Sequence, residues 1–147
     1  MVRLALALLC AMSLLSAPLF AATSQVAPAK ASAAPKNMRP YVLVILKTGP
    51  TPVAKGLLRD EMFKGHFANM ERLAAEGKLA VAGPFMEKTD WRGLFILAVE
   101  TVEEAKALVA TDPVIRNGEM VAEYHRLYST KSLMDVNALH KKAEATE

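Results

Sequence analysis

The sequence predicts an α+β domain in which two helices cover one face of a four-stranded antiparallel sheet. Three observations predict it. Apolar runs with strand-like patterning recur at residues 41–47, 79–83, 93–100 and 119–128. Between them lie two stretches with helical spacing and helix-end signals. Their order is strand, helix, strand, strand, helix, strand, which is the split βαβ or ferredoxin-like plan.

The chain starts with Met1-Val2-Arg3, a minimal positive segment. Leu4 to Leu15 is almost unbroken Leu, Ala and Met, and small residues follow up to Ala21-Ala22. This is the layout of a secretory signal peptide over residues 1–22. The apolar run falls short of the about 20 residues that a spanning helix needs. The expected mature protein is periplasmic or secreted, with no membrane association after signal cleavage; an uncleaved anchor is the alternative. The single cysteine, Cys10, lies in this segment. The mature chain then has no thiol nucleophile, disulfide or Cys-based metal site. Residues 23–40 are rich in Ala, Pro, Ser and Lys and read as a flexible linker.

The domain proper spans 41–130. In Tyr41 to Lys47, Val42, Val44 and Leu46 form one strand face and Tyr41, Leu43 and Ile45 the other, so both faces are expected to be buried. Thr48-Gly-Pro-Thr-Pro52 stops the strand. Asp60 is the expected N-cap of a helix from Glu61 to Glu76, ended by Gly77. Its stripes Phe63, Phe67, Met70, Ala74 and Met62, His66, Met70, Leu73 put His66 at the edge of the buried face. Leu79 to Gly83 is the second strand, Met86 to Arg92 a loop, and Gly93 to Glu100 the third strand, closing a hairpin. Thr101-Val-Glu-Glu104 is a capping box that opens a helix from Val102 to Ala110. Asp112-Pro113 closes that helix. Residues 114–118 are a turn and Glu119 to Tyr128 the last strand. Residues 131–147, rich in Lys, Glu and Ala, read as a loosely held helical tail. Two helices cover only one sheet face, and the other is apolar in the first and third strands. This predicts a homodimer packed sheet to sheet.

Eighteen basic and 15 acidic residues leave a net charge of +3, but they are mixed along the chain, which excludes a nucleic-acid stripe. There is no glycine-rich phosphate loop, and the three histidines have no metal-ligand spacing. No cofactor and no metal are expected.

His66-Phe-Ala-Asn-Met-Glu-Arg-Leu-Ala-Ala-Glu-Gly-Lys-Leu, followed by Ala82-Gly-Pro-Phe85, resembles the core signature of the YCII-related (YciI-like) family. Gly93-Leu-Phe-Ile-Leu, Glu103-Glu-Ala-Lys-Ala-Leu-Val109 and Asp112-Pro113 continue the resemblance in order, over about Tyr41 to Tyr128. The resemblance implies a dimeric α+β barrel fold and a pocket in which a His and an Asp face each other. Those positions fall on His66 and Asp112. It also implies chemistry like that of dehydrochlorinases, lyases or isomerases acting on small rings. The signal peptide, linker and tail depart from the usual compact family domain.

A His-Asp pair has a physical logic. The carboxylate fixes the tautomer, so the other ring nitrogen can take or give a proton near neutral pH. The residues alone also fit a partly buried helix histidine and an aspartate bonding its own backbone ahead of proline. His125, Trp91 and Arg92 are the candidate substrate-binding residues. His125 qualifies if its strand face looks towards the helices, and Trp91 and Arg92 if the hairpin loop forms a lid. The bland alternatives are a half-exposed strand residue and a solvated turn. Two functions fit: a cofactor-independent lyase or isomerase on a small cyclic or aromatic substrate, or a non-catalytic small-molecule-binding or accessory domain.

Overall fold

A computed structural model describes residues 35–146 of the chain. The expected signal peptide, Cys10 and the linker up to residue 34 lie outside the described residues. The strands β1 (Met38–Thr48), β2 (Leu79–Pro84), β3 (Trp91–Leu97) and β4 (Met120–Thr130) form one antiparallel sheet in the order β2-β3-β1-β4. With helices α1 (Leu57–Ala75) and α2 (Val102–Val109) this is the expected ferredoxin-like order.

The inner sheet face presents Val42, Val44 and Leu46 of β1 with Phe95 and Leu97 of β3. It packs against Met62 and Leu73 of α1 and Ala105 and Val109 of α2. β1 begins earlier than its apolar run suggests. Met38, Arg39 and Pro40 pair with Thr130, Ser129 and Tyr128, so a long β4 draws the end of the linker into the sheet.

Three local expectations need correction. Asp60 does not cap α1, because its own N–H already bonds Gly56 O at 3.0 Å inside the helix. Gly56 is the capping residue, without a side-chain bond, and Asp60 sits in the first turn, where a negative charge suits the helix dipole. The capping box of α2 is half made. Thr101 Oγ1 accepts from Glu104 N at 3.1 Å, while the Glu104 carboxylate takes Lys78 Nζ at 2.8 Å instead of reaching back. The expected turn after Asp112 is a one-turn helix, α3 (Pro113–Arg116), with proline in its first turn, where no N–H is missed.

The tail is anchored at its start. In a 3-10 helix over Lys131–Asp135, Leu133 and Met134 pack on Tyr41, Ala80 and Ala98 of the outer sheet face. α4 (Val136–Glu144) follows, and Asn137 Nδ2 donates to Leu79 O at 2.6 Å, occupying an edge carbonyl of β2. The rest of the outer face keeps Leu43, Val81, Ile96 and Val121 at least partly exposed.

Candidate functional site

α1 carries His66, and its neighbour Gly65 lets the site form. A Cβ at Gly65 would come within 2.9 Å of the Pro113 ring, so only a bare backbone lets α3 lie this close to α1. That approach brings Asp112, the N-cap of α3, beside His66. Asp112 is fully buried and uses both oxygens. Oδ1 accepts from Val114 N at 3.1 Å, and Oδ2 lies 2.8 Å from His66 Nδ1. A carboxylate offers only acceptors, so Nδ1 carries the hydrogen and Nε2 is the unengaged nitrogen among the described residues.

A second layer fixes this pair. One turn along α1, the buried Asn69 places Nδ2 at a long 3.5 Å from Asp112 Oδ2. Its Oδ1 accepts from Arg72 Nη2 at 2.8 Å and from Thr111 Oγ1 at 2.9 Å, which sets the amide's orientation. His66, Asn69 and Arg72 thus share one face of α1 at three-residue spacing.

His66 itself is 7% exposed and lines a cavity of about 350 Å³. That volume is at the small end of the about 300–1,000 Å³ usual for ligand sites. Phe63, Phe67 and Phe95 surround the imidazole with ring centroids at 5.9, 5.4 and 6.0 Å. Met70 and Phe85 complete an apolar wall, and Gly83 and Gly93 contribute no side chain to it. Asp112 does not line the cavity; it stands behind His66.

Arg92 lines the same cavity. Beside it lies Glu119, only 1% exposed, whose carboxylate takes Val53 N at 2.6 Å and the Arg59 guanidinium, with Arg92 Nη1 at 3.5 Å. Burial alone would raise this carboxyl's pKa. The Val53 N–H and the two guanidiniums outweigh it and hold the group below the ordinary glutamate range. Arg59 also donates to Val53 O at 3.1 Å and stands 4.6 Å from the Phe63 ring centroid.

Two expected substrate-binding residues do not reach this cavity. β4 pairs His125 with Leu43, on the face opposite Val42 and Val44, so His125 points away from the helices. There it is half exposed and meets Glu123 Oε1 at 2.8 Å. Trp91 is not in a lid loop but opens β3 opposite Lys47. It packs on Phe85 at 5.4 Å and borders a neighbouring hollow with Glu87, Thr89 and Asp90. Arg92 is also in the strand and not in a loop, yet it does reach the cavity. Sequence reading missed Asn69, Arg59 and Glu119. The spacing His66-x-x-Asn69-x-x-Arg72 signals the first, whereas Glu119 and its partners lie 60 and 66 positions apart with no local signal.

Comparison with known proteins places this chain in a family. The chain is 33% identical over 59 residues to the uncharacterized protein YjpA of Bacillus subtilis (strain 168), a match covering 40% of this chain and 67% of YjpA. Among solved structures it is similar to the 5-chloro-2-hydroxyhydroquinone dehydrochlorinase TftG of Burkholderia phenoliruptrix AC1100, in complex with 2,5-dihydroxybenzoquinone. That match has 22% identity and a TM-score of 0.39, and covers 60% of this chain and 90% of TftG, a likeness too remote to speak for this chain's chemistry. The YCII-related domain matches residues 41–126, a span that holds His66, Arg92, Asp112 and Glu119. The chain belongs to the YCII-related domain family.

Proposed function

We propose that the protein is a cofactor-independent lyase or isomerase that moves a proton on a small cyclic or aromatic substrate. One observation carries the reading: a histidine whose Nδ1 is held by a buried carboxylate lines an apolar cavity of about 350 Å³. Nε2 takes a proton from the bound ring. In an elimination the electron pair of the broken bond to hydrogen forms the new double bond, and the leaving group departs with its own pair. In an isomerisation the imidazolium returns the proton to a different atom. Asp112 holds the ring and offsets its positive charge while the proton is resident. The phenylalanine rings around the imidazole give the exchanging proton an apolar wall on the protein side.

The test is turnover of small phenols, quinols and lactones by the purified protein and by His66→Gln. General acid–base catalysis contributes about 10²–10⁴ in rate, so kcat should fall by that factor while the folded structure persists. Equal turnover by His66→Gln would remove the reading. Ligand-dependent thermal stabilisation with no turnover by the wild type would instead make this a binding domain.

The partly exposed Leu43, Val81, Ile96 and Val121 support a homodimer closed sheet to sheet. Light scattering at micromolar concentration should give twice the monomer mass, and Ile96→Glu should give the monomer. A monomeric wild type would rule the arrangement out.

A further inference from the structure

Arg92 is the one permanently charged side chain in the lining of the His66 cavity among the described residues. A β-bulge puts it there. Leu46 of β1 pairs with Gly93, and the next residue, Lys47, pairs with Trp91, so Arg92 is an extra residue on β3 with no partner in β1. Unbroken alternation would set Arg92 opposite Lys47, on the outer face. The bulge re-aims it to the inner side, where it meets Glu119.

The charges around it do not balance. One buried carboxylate, Glu119, stands against two guanidiniums, Arg59 and Arg92, which leaves one positive charge over. Glu119 is already occupied by Val53 N and by Arg59. Arg59 is committed to Glu119, to Val53 O and to the Phe63 ring face. The Arg92 guanidinium meets Glu119 at only 3.5 Å and makes no hydrogen bond among the described residues; only its backbone carbonyl is engaged, by Phe85 N at 3.1 Å. Its fork of donors therefore remains for a ligand, in a wall that is, His66 aside, apolar and partly aromatic.

We propose that Arg92 is the anion anchor of this cavity, positioned by Glu119 and Arg59, and that the ligand is a small planar ring bearing a carboxylate. The guanidinium binds the carboxylate through two parallel N–H bonds, while the phenylalanines take the ring. This rests on the reading of the His66 cavity as the ligand site and adds the class of molecule that fills it. A ring held at its acid group has one fixed edge, so the proton to be moved is presented to His66 in a single orientation.

The test uses benzoate and its neutral counterpart benzamide, with binding measured by calorimetry on the wild type, Arg92→Leu and Arg92→Lys. Benzoate should bind the wild type about 10- to 100-fold more tightly than benzamide, as a charge-assisted bidentate contact implies. Arg92→Leu should abolish the preference for benzoate over benzamide. Arg92→Lys should recover part of the preference. Rising salt should weaken benzoate binding to the wild type and not benzamide binding, a readout that needs no variant to fold. Equal binding of the two compounds, binding of neither, or a benzoate preference that survives Arg92→Leu would each overturn the proposal. The assay reads no turnover. If no reaction is ever found but the benzoate preference holds, the acid–base reading fails and the anchor stands.

Discussion

Replacing Asp112 with alanine is expected to lower the free energy of unfolding by about 2–4 kcal/mol. Three groups lose a partner at once. The Val114 N–H loses the cap of α3, worth about 1 kcal/mol. His66 Nδ1 and Asn69 Nδ2 become donors without acceptors in a place closed to water, at about 1–3 kcal/mol each before relaxation. Asp112→Asn separates the structural role from the chemical one. Asparagine is an equally good N-cap, so Oδ1 can still take Val114 N, and the stability loss should be less than half that of alanine. Its amide nitrogen would then face His66 Nδ1, donor against donor. The imidazole must shift its hydrogen to Nε2, and the nitrogen meant to accept the substrate proton is blocked. Urea melts should therefore rank wild type, Asn, Ala in falling stability, while kcat drops in both variants as it does in His66→Gln. An alanine variant within 1 kcal/mol of wild type would show that water reaches these groups and the pair is not closed.

Asp112 also shows how far a sequence can be read. Its two readings, a turn residue bonding its own backbone and the partner of a histidine, do not exclude each other, because each oxygen does one job. The first is local and visible in Asp112-Pro113. The second spans 46 positions and depends on Gly65 admitting Pro113. The element order was legible because strand and helix periods are local signals. Sheet parity was not. β1 is apolar on both faces, so nothing in its pattern says which face meets the helices or on which side His125 falls. Leu94-Phe95-Ile96-Leu97 is equally silent about alternation, and Gly93 has no side chain to betray the bulge that separates Trp91 from Arg92. The tail held a signal that its composition hid: Leu133 and Met134 are apolar residues in a polar stretch, and they are what anchors it.

The largest single effect is expected at Glu119. Glu119→Ala should cost about 3–5 kcal/mol, the usual penalty for removing one partner from a buried charge cluster. It leaves Arg59 and Arg92 as neighbouring cations with no carboxylate between them. It also frees Val53 N, and with it the loop that leads into α1. Glu119→Gln keeps the shape and one acceptor, so it should cost less and is the better probe of charge. Its signature lies in the acid limb. The folded protein holds the Glu119 carboxyl below the ordinary glutamate range, despite burial pushing the other way, because Val53 N–H, Arg59 and Arg92 favour the anion. A folded pKa below the unfolded one means that the unfolded chain takes up the proton first. The contribution is thus complete above the unfolded value of about 4.3 and drains away as pH falls through the lower folded value. Urea melts at pH 7, 5 and 3.5 should show the gap between wild type and Glu119→Gln wide at the first two and narrowed at the third. A gap that stays constant across that range would mean the carboxylate carries no charge-dependent stability. The Arg59–Glu119–Arg92 cluster would then be held by shape alone.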